Sequence, residues 1–518
     1  MGSTESKSTF LYLAPLPLSP FTFCYVASAV VAFYISHRIL TYQPLLSSNL
    51  PEYTGPYGVG AIDIEVPLDR PRLISQTRYK SSREHAFRLD SVLFTLYYPT
   101  RPKSVSGKAK HYWISRPISL RAEGYARFAR LNNPLIKWIF AFGLWVIAGR
   151  HRIPANVDVP LYAPAAEDFQ LLNQEERKHT EFERRESDVQ KFPVYVFSHG
   201  AITSRTSYSQ YCGELASRGV IVAAIGHRDG SGPGSVVITK DGKERTVFHV
   251  SARDLDFDVF ENSTIKGKEG TTLGTSALKS EQLAFRQAEV EETINILNDI
   301  NNGIGHRVYQ SNTRFEGHDL RNWKDRLNVD NLILGGHSYG ATLALQALKG
   351  ATSEKIPAKC GIILDPGKRS GPLNNDISVP ILVIHSNAWS RTRSILLGQP
   401  HFDVVKNLTD DVMRRVGCSW FMTLLGTTHL SAADGPLIVP LLSRWMTGST
   451  INVRERLEHY VWVSMEFIDF VRTGVREGIL ALGPTHPHYG ENVANIDQRT
   501  IPDEILKYWQ IHVAPPGA

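Results

Sequence analysis

The sequence predicts an α/β protein built on a mostly parallel central sheet that is flanked by helices. Two observations lead to this prediction. Residues 192–200 form an apolar strand that is followed by a helix and by a second apolar strand at 219–225, which is the spacing of a βαβ unit. Further short apolar runs start near residues 331, 359 and 380 and alternate with helix-forming segments. Parallel sheets produce this alternation because neighbouring strands need crossover connections.

The apolar run from Asn331 enters a Gly-x-Ser-x-Gly turn, Gly336-His-Ser-Tyr-Gly340, and a helix follows. A serine on a sharp strand-to-helix turn presents its hydroxyl to a base, and the two glycines leave room for the strained turn. This context predicts the nucleophile elbow of an α/β-hydrolase fold, with Ser338 as the nucleophile. The backbone N–H groups of Tyr339 and of Ala201, which follows the first strand of the βαβ unit, are the predicted oxyanion donors.

A serine nucleophile needs a base, and the base needs an orienting acid. In this fold the acid and then the histidine follow the serine along the chain. Asp365 directly follows an apolar strand, where the strand ends gather at one edge of the sheet, and it is the predicted acid. Asp376 and Asp403 lie in less defined segments and are the competing candidates.

His429 is the predicted base because it follows the apolar run 420–425 and a flexible Gly-Thr-Thr segment. For any single histidine the competing interpretation is an ordinary structural residue. His385 at a strand end fits that interpretation, and His486 and His488 lie in a Pro-rich segment beyond the predicted sheet.

The composition excludes several other function classes. The 518 residues carry 57 Lys and Arg against 51 Asp and Glu, a net charge of +6 that is mild and dispersed, so nucleic acid is not a predicted partner. The 4 cysteines stand far apart, which argues against a metal knuckle and a disulfide scaffold. His227-Arg-Asp229 resembles a kinase loop and Asp254-Leu-Asp-Phe-Asp258 a calcium loop, but Gly234 and Val259 stand where an Asn and a Gly are needed. No metal and no cofactor is predicted.

Residues 1–50 are predicted to be a tail with a membrane anchor. Gly2 matches the loose pattern for N-myristoylation. The hydrophobic segment 20–40 is uncharged up to Ser36, which gives about 24 Å of helix against a hydrocarbon core of ~30 Å. Snorkelling of Arg38 would lengthen the span. We therefore predict a membrane-associated protein with a single-pass N-terminal anchor in an internal membrane, and the side on which the catalytic domain lies stays open.

The predicted catalytic domain spans residues 51–475, and a C-terminal extension follows at 476–518. Alternating runs between residues 53 and 100 predict antiparallel strands at the start of the sheet. The domain has three predicted insertions. The insertion at 116–152 is basic and aromatic, the insertion at 174–191 is highly charged, and the insertion at 230–280 is centred on an Asp-Gly hairpin.

The insertion at 116–152 holds an apolar stretch of helical length, 135–148, between arginines. The stretch is too short to span a bilayer. Two interpretations stay open: a buried helix with solvated flanks, or an interfacial helix that docks on a membrane. In the second interpretation the docking side chains are Trp138, Phe140, Phe142 and Trp145, and the flanking arginines attract anionic lipid.

Segments that occur in one order along residues 57–444 share a further pattern: Phe197-Ser-His-Gly-Ala201, Gly219-Val-Ile-Val-Ala-Ala-Ile-Gly-His-Arg-Asp229, Gly336-His-Ser-Tyr-Gly-Ala341, Cys360-Gly-Ile-Ile-Leu-Asp365 and Gly426-Thr-Thr-His429. Together they resemble the platelet-activating factor acetylhydrolase family, the plasma and intracellular type II branch of calcium-independent phospholipases A2. The resemblance implies an α/β-hydrolase with a Ser338, Asp365, His429 triad. Gly226 and Ala341 depart from the usual family pattern.

The resemblance also implies a phospholipid substrate, whereas the membrane partner is predicted from the hydrophobic segment 20–40. The expected reaction is hydrolysis of a short-chain (acetyl) or oxidised acyl ester at the sn-2 position, which gives a lysophospholipid and a carboxylate. Alternatives on the same triad are another serine carboxylesterase or lipase, or an acyltransferase. An alternative from another class is a catalytically silent hydrolase fold that serves as a lipid-binding membrane protein.

Overall fold

The computed structural model describes residues 20–41, 43–44, 46–131, 133–163, 191–257, 272–392, 395–396, 399–491 and 501–516. Gly2 and nearly all of the predicted insertion at 174–191 lie outside these ranges, as does the middle of the insertion at 230–280.

The strands of the described chain are, in order, β1 (Gly58–Leu73), β2 (Arg78–Tyr79), β3 (Arg88–Thr100), β4 (Asn156–Val157), β5 (Phe192–Ser198), β6 (Ile221–Ile225), β7 (Ser235–Ile238), β8 (Glu244–Val247), β9 (Leu255–Asp256), β10 (Leu327–His337), β11 (Ala358–Leu364), β12 (Ile381–Ser386), β13 (Ile395–Leu396), β14 (Gln399–Pro400), β15 (Trp420–Leu424) and β16 (Trp509–Val513). Ten of them form one sheet in the order β16-β15-β12-β11-β10-β5-β6-β3-β1-β4. The neighbours from β6 to β15 are parallel, so the predicted mostly parallel sheet is confirmed.

The α-helices are α1 (Pro20–Leu40), α2 (Ile118–Phe128), α3 (Pro134–Ala148), α4 (Ser209–Ala216), α5 (Thr272–Asp299), α6 (Gly305–Ser311), α7 (Tyr339–Ala347), α8 (Asn387–Arg391), α9 (His401–Val416), α10 (Gly435–Ile438), α11 (Pro440–Thr447), α12 (Val453–Thr473) and α13 (Asp503–Tyr508). Helices α5, α7 and α9 contribute to a core on one face of the sheet, and α4 and α12 contribute to a core on the other. Both faces of the sheet are therefore covered.

The strand β5 shows why its sequence is apolar throughout. Val194 and Val196 lie in one core, whereas Tyr195 and Phe197 lie in the other. Successive strand residues point to opposite faces, so a strand covered on both sides needs apolar side chains at every position.

The sheet is extended by antiparallel strands at its two sides. β1 pairs with β3 in antiparallel register, as the alternating runs predict, and β7 pairs with β8 as the predicted hairpin. At the other side β16 pairs with β15. The C-terminal extension at 476–518 thus supplies an edge strand that was not predicted from the sequence.

Helix α1 has the same bounds as the predicted hydrophobic segment 20–40. Within the described ranges, however, no helix combines the length and the apolarity that crossing a bilayer requires. The predicted transmembrane anchor is therefore not supported. The helix includes the polar residues Thr22, Ser28 and Ser36 and has Arg38 in its last turn, and these side chains lower its mean hydropathy.

The insertion at 116–152 forms two helices, α2 and α3, which pack on each other. The interpretation of the apolar stretch as a buried helix is wrong. Of the residues of α3, Ala148 is the one that is buried, because the helix lies on the outside of the domain with α2 beneath it. Trp138, Phe142 and Trp145 are exposed to 63%, 53% and 44%, and Phe140 is half-buried.

Candidate active site

The elbow joins the end of β10 to the start of α7. Ser338 has φ 56° and ψ −116°, a strained conformation for a residue with a side chain. The turn passes so close to β5 that a Cβ on Gly340 would lie 2.0 Å from the carbonyl oxygen of Ser198, and a Cβ on Gly336 would lie 2.4 Å from it. Glycine at both positions therefore permits the close approach that the elbow needs.

The structure brings together the three residues of the predicted triad. His429 Nε2 lies 2.9 Å from the Ser338 hydroxyl oxygen, and His429 Nδ1 lies 3.0 Å from Asp365 Oδ2. Each residue follows a parallel strand of the sheet: Ser338 follows β10, Asp365 follows β11 and His429 follows β15. The three meet because the carboxyl ends of parallel strands lie at one edge.

The carboxylate of Asp365 is buried and is surrounded by donors. The Ser386 backbone N–H donates to Oδ1 at 2.6 Å, and the Ser386 hydroxyl donates to Oδ2 at 2.7 Å. Burial by itself raises the pKa of this carboxyl, but the hydrogen bond and the charge of His429 outweigh burial and lower the pKa to about 2. Asp365 is therefore ionised at neutral pH and can hold the His429 N–H in one orientation.

The imidazole of His429 is also held from its faces. Trp389, on α8, stacks on it with ring centroids 3.7 Å apart and an angle of 8° between the planes. The Lys368 ammonium lies 4.2 Å from the centroid of the same indole. Sequence reasoning missed Trp389 and Lys368, because their place beside His429 depends on how the loops after β11 and β12 pack.

The competing candidates lie elsewhere. Asp376 is exposed in the loop before β12, and Asp403 lies in the first turn of α9. His385 is fully buried, its Nδ1 lies 3.1 Å from the Ser390 hydroxyl, and burial lowers its pKa, which fits a structural histidine. His486 accepts from His512 through its backbone oxygen, away from Ser338.

A cavity of about 910 Å³ opens in front of the triad. Ala201 and Tyr339, the predicted oxyanion residues, line it together with Ser338 and His429. Tyr339 is the first residue of α7, so its N–H has no partner within the helix. The other walls combine apolar and basic side chains, namely Phe128, Trp389, Leu430, Lys279, Lys368 and Arg369.

A second arrangement of Ser, His and an acid lies beneath the Ala201 loop. Ser198 Oγ is 2.6 Å from His227 Nε2, and His227 Nδ1 is 2.6 Å from Glu289 Oε2. All three are buried, and burial lowers the pKa of His227 and raises that of Glu289. The His227 backbone N–H also donates to His199 Nε2 at 3.2 Å. Because no substrate reaches a buried serine, we interpret Ser198, His227 and Glu289 as a structural hydrogen-bonded set that supports the Ala201 loop.

The His227-Arg-Asp229 segment thus has a structural explanation. Arg228 forms an ion pair with Glu65, and Asp229 pairs with Arg286 at 2.8 Å; all four side chains are buried. Arg286 also donates to the His199 carbonyl oxygen at 2.8 Å. These pairs fix the backbone that leads to Ala201.

The potential metal ligands overlap with the triad. Among the described residues, ligand atoms of His337, Asp365 and His429 lie within 4.8 Å of one another. Both ring nitrogens of His429 already face hydrogen-bond partners, Ser338 and Asp365. An ion at this position would have to displace the contact between His429 and Asp365.

Comparison with known proteins bears on this geometry. A family model described as "Platelet-activating factor acetylhydrolase, isoform II" matches residues 169–471, more than half of the chain. The chain belongs to this family. The matched range includes Ala201, Ser338, Asp365 and His429, whereas α3 lies before it.

Individual relatives are more distant. A Schizosaccharomyces pombe protein named "Putative phospholipase A2" is 27% identical over 333 residues, which cover 61% of this chain and 64% of that protein. A platelet-activating factor acetylhydrolase of Canis lupus familiaris is 32% identical over 247 residues, 47% of this chain and 49% of that protein. The chain thus spans between about half and just under two thirds of the length of these relatives. A solved ferulic acid esterase from Streptomyces cinnamoneus overlaps with a TM-score of 0.45 and 15% identity, and the overlap covers 82% of this chain and 92% of that one.

Proposed function

We propose that this protein is a serine esterase that hydrolyses the sn-2 ester of phospholipids with a short (acetyl) or oxidised acyl chain. The observation that carries the proposal is the hydrogen-bonded series Ser338, His429 and Asp365 at the wall of a large cavity. Membership of the acetylhydrolase family supports the phospholipid substrate. The products are a lysophospholipid and a carboxylate.

The geometry gives each residue a role in the reaction. The Ser338 oxygen attacks the ester carbonyl while His429 Nε2 takes the serine proton, and Asp365 stabilises the imidazolium that forms. The N–H groups of Ala201 and Tyr339 hold the oxyanion. The intermediate collapses to the acyl-enzyme as His429 returns the proton to the departing lysophospholipid oxygen. Water then attacks the acyl-enzyme by the same steps and releases the carboxylate.

The cavity walls suit a substrate with apolar and anionic parts. Phe128, Trp389 and Leu430 offer apolar surface to a glycerol backbone and its chains. Lys279, Lys368 and Arg369 offer cations to the phosphate of a phospholipid or to the carboxylate of an oxidised acyl chain. This combination favours a charged lipid over a neutral ester of the same size.

We further propose that the enzyme works at a membrane surface, with α3 as the docking helix. Trp138 and Phe142 stack with centroids 5.5 Å apart, and Trp145 continues the same exposed surface. Aromatic side chains with such exposure favour the headgroup boundary of a bilayer. Because a phospholipid leaves its bilayer at a cost of about 0.8 kcal/mol per exposed CH₂, a docked enzyme has an advantage.

The decisive test compares the parent protein with Ser338→Ala on phosphatidylcholines that carry acetyl or long sn-2 chains. We expect the parent to prefer the acetyl substrate and the variant to lose activity by several orders of magnitude, as removal of a nucleophile does. Activity of the variant within tenfold of the parent would refute the assignment of Ser338. An activated serine also reacts with a fluorophosphonate probe, so an unlabelled, folded parent would favour the silent lipid-binding alternative. Transfer of the acyl group to an added alcohol instead of water would favour the acyltransferase.

A further inference from the structure

A second cavity, of about 270 Å³, shares no lining residue with the catalytic one. It lies where α2 begins and α3 ends, beside β1. Its lining is strongly basic, with the cationic or potentially cationic side chains of Lys110, His111, Arg116, Arg121, Arg152, Arg205 and Arg314. Asp63 is the one acidic residue among the lining residues, all of which belong to the described part of the chain.

Part of this positive charge is neutralised within the protein. Arg205 forms a largely buried ion pair with Asp63, and Arg314, which is partly exposed, pairs with the buried Glu65 at 2.5 Å. His111 Nε2 lies 2.9 Å from a carboxylate oxygen of Glu316. These pairs account for three of the seven basic residues, and a fourth, Lys110, lies 3.7 Å from a carboxylate oxygen of Glu52.

The guanidinium groups of Arg116, Arg121 and Arg152 remain. Each donates to a backbone carbonyl oxygen: Arg116 to Gly149 at 2.6 Å, Arg152 to Lys110 at 2.5 Å, and Arg121 to Gly234. No carboxylate in the described ranges lies within ion-pair distance of any of the three.

The burial of Arg121 makes its unpaired charge costly. The residue is only 9% exposed, and burial lowers the pKa of its guanidinium group to about 10, so the group stays charged at neutral pH. A buried charge without a counter-charge is unfavourable, so an anion bound beside Arg121 would lower the cost of burying its guanidinium group.

Two further polar atoms in the lining lack partners. His111 Nδ1 and Arg314 Nε are buried, and neither has a hydrogen-bond partner in the described structure. Meanwhile Arg116 and Arg152 both lie on the ring of Tyr112, at 4.1 and 3.4 Å from its centroid. Both guanidinium groups are thus packed on one tyrosine ring at the cavity wall, and a multiply charged anion can accept from both.

We propose that this cavity binds a phosphate ester with two or more negative charges, as in a phosphorylated lipid headgroup or a soluble inositol phosphate. The shared chemistry is a phosphate group that accepts from several guanidinium groups at once. Arg116 donates to the carbonyl oxygen of Gly149, which directly follows α3, so the site lies at the C-terminal end of the helix that we propose as the membrane-docking helix. The site is independent of Ser338 and of the proposed reaction.

The test uses the full chain with Ser338→Ala, so that hydrolysis does not interfere. Its melting temperature is measured with and without inositol trisphosphate, and its co-sedimentation is measured with phosphatidylcholine vesicles that contain either a phosphatidylinositol bisphosphate or phosphatidylserine at equal charge. The cavity variant is Arg116→Gln with Arg152→Gln. The matched control is Arg414→Gln with Arg472→Gln, which removes the same charge from exposed arginines.

We expect saturating inositol trisphosphate to raise the melting temperature by about 2 °C or more, and the cavity variant but not the control to lose this rise. A rise in melting temperature with inositol trisphosphate would show that a soluble phosphate ester is sufficient for binding to the cavity. A preference for bisphosphate vesicles alone, lost in the cavity variant only, identifies a lipid headgroup as the ligand. No shift and no vesicle preference in the parent, or an equal loss in both variants, would overturn the proposal. The measurements on the Ser338→Ala protein without further substitutions test the proposal even if the cavity variant does not fold.

Discussion

Asp365 illustrates how much of the proposed chemistry depends on single residues. Its carboxylate accepts hydrogen bonds from the Ser386 backbone N–H, the Ser386 hydroxyl and His429 Nδ1. These donors stabilise the ionised form even though the residue is buried. Replacing the carboxylate by an amide keeps the shape but removes the charge that orients the imidazole.

We predict that Asp365→Asn lowers kcat/KM by about 10⁴-fold, because the imidazole takes the wrong tautomer.

The same variant tests how the stability of the protein depends on acid pH. The pKa falls from 3.8 to about 2 on folding, so ionised Asp365 contributes stability above pH 3.8 that is lost as the pH drops towards 2. Chemical denaturation of both proteins from pH 5 to pH 2 checks this. A stability difference that does not shrink with acid would contradict the assigned ionisation.

Ser198 tests whether geometry alone makes a nucleophile. It has a histidine and an acid at hydrogen-bond distance, as Ser338 has, but it is buried. We predict that Ser198→Ala keeps full fluorophosphonate labelling and loses about 1–3 kcal/mol of unfolding free energy, because His227 loses its partner. Mass spectrometry of the labelled peptide and denaturation measure the two effects. Labelling of Ser198 in a Ser338→Ala protein would contradict this.

At the scale of elements, the elbow depends on the contact between α7 and β5. A Cβ on Gly340 would collide with the backbone of Ser198, whereas a Cβ on Gly143, in the exposed helix α3, would have no atom within 4 Å. We predict that Gly340→Ala destabilises the protein by about 3 kcal/mol and abolishes turnover. Gly143→Ala, the matched control, stabilises it by about 0.5–1 kcal/mol. Thermal denaturation distinguishes the two, and equal behaviour would refute the close-approach argument.

Helix α3 leads to a prediction that separates docking from folding. We expect Trp138→Glu with Phe142→Glu to lower hydrolysis of vesicle substrate about tenfold or more and to leave hydrolysis of a soluble short-chain ester unchanged, because charges oppose insertion into the interface. The matched control is Val105→Glu with Phe315→Glu, two exposed apolar residues outside this helix. Equal loss on both substrates, or the same vesicle effect in the control, would exclude α3 as the docking helix.

At the scale of the whole molecule, the two ends of the described chain differ in how they attach to the sheet. Helix α1 exposes most of its side chains, and Arg38 near its end donates to Ser47 and Gln43. β16, in contrast, pairs with β15, the strand that leads to His429, and Leu425 N–H donates to the Tyr508 carbonyl oxygen at 2.7 Å.

We therefore predict opposite results for two truncations. Removing residues 1–40 should leave soluble-ester turnover within about twofold, since the described part of this segment, α1, exposes most of its side chains and exposed segments contribute little to a fold. Removing residues 501–518 exposes the edge of β15 and should lower both the melting temperature and the turnover. Turnover that survives the second truncation would mean that β16 does not hold the His429 loop.

Sequence patterns predicted the parts of this protein that depend on local order. The strand of β10, the Gly-x-Ser-x-Gly turn and the helix α7 follow one another within a short segment, so the elbow was predictable from residues 331–350. The edge strand β16 was not, because its pairing with β15 joins segments about 90 residues apart and depends on no local pattern.

By itself, the sequence determined the succession of the parallel strands, the elbow, and the three residues that meet at the sheet edge, because parallel strands bring their carboxyl ends together. Only the tertiary structure decided what surrounds them. Trp389 beside His429, the buried Ser198 set and the outward position of α3 result from packing between distant segments. An apolar stretch reads the same whether it faces the core or solvent, since its periodicity does not record which neighbour covers it.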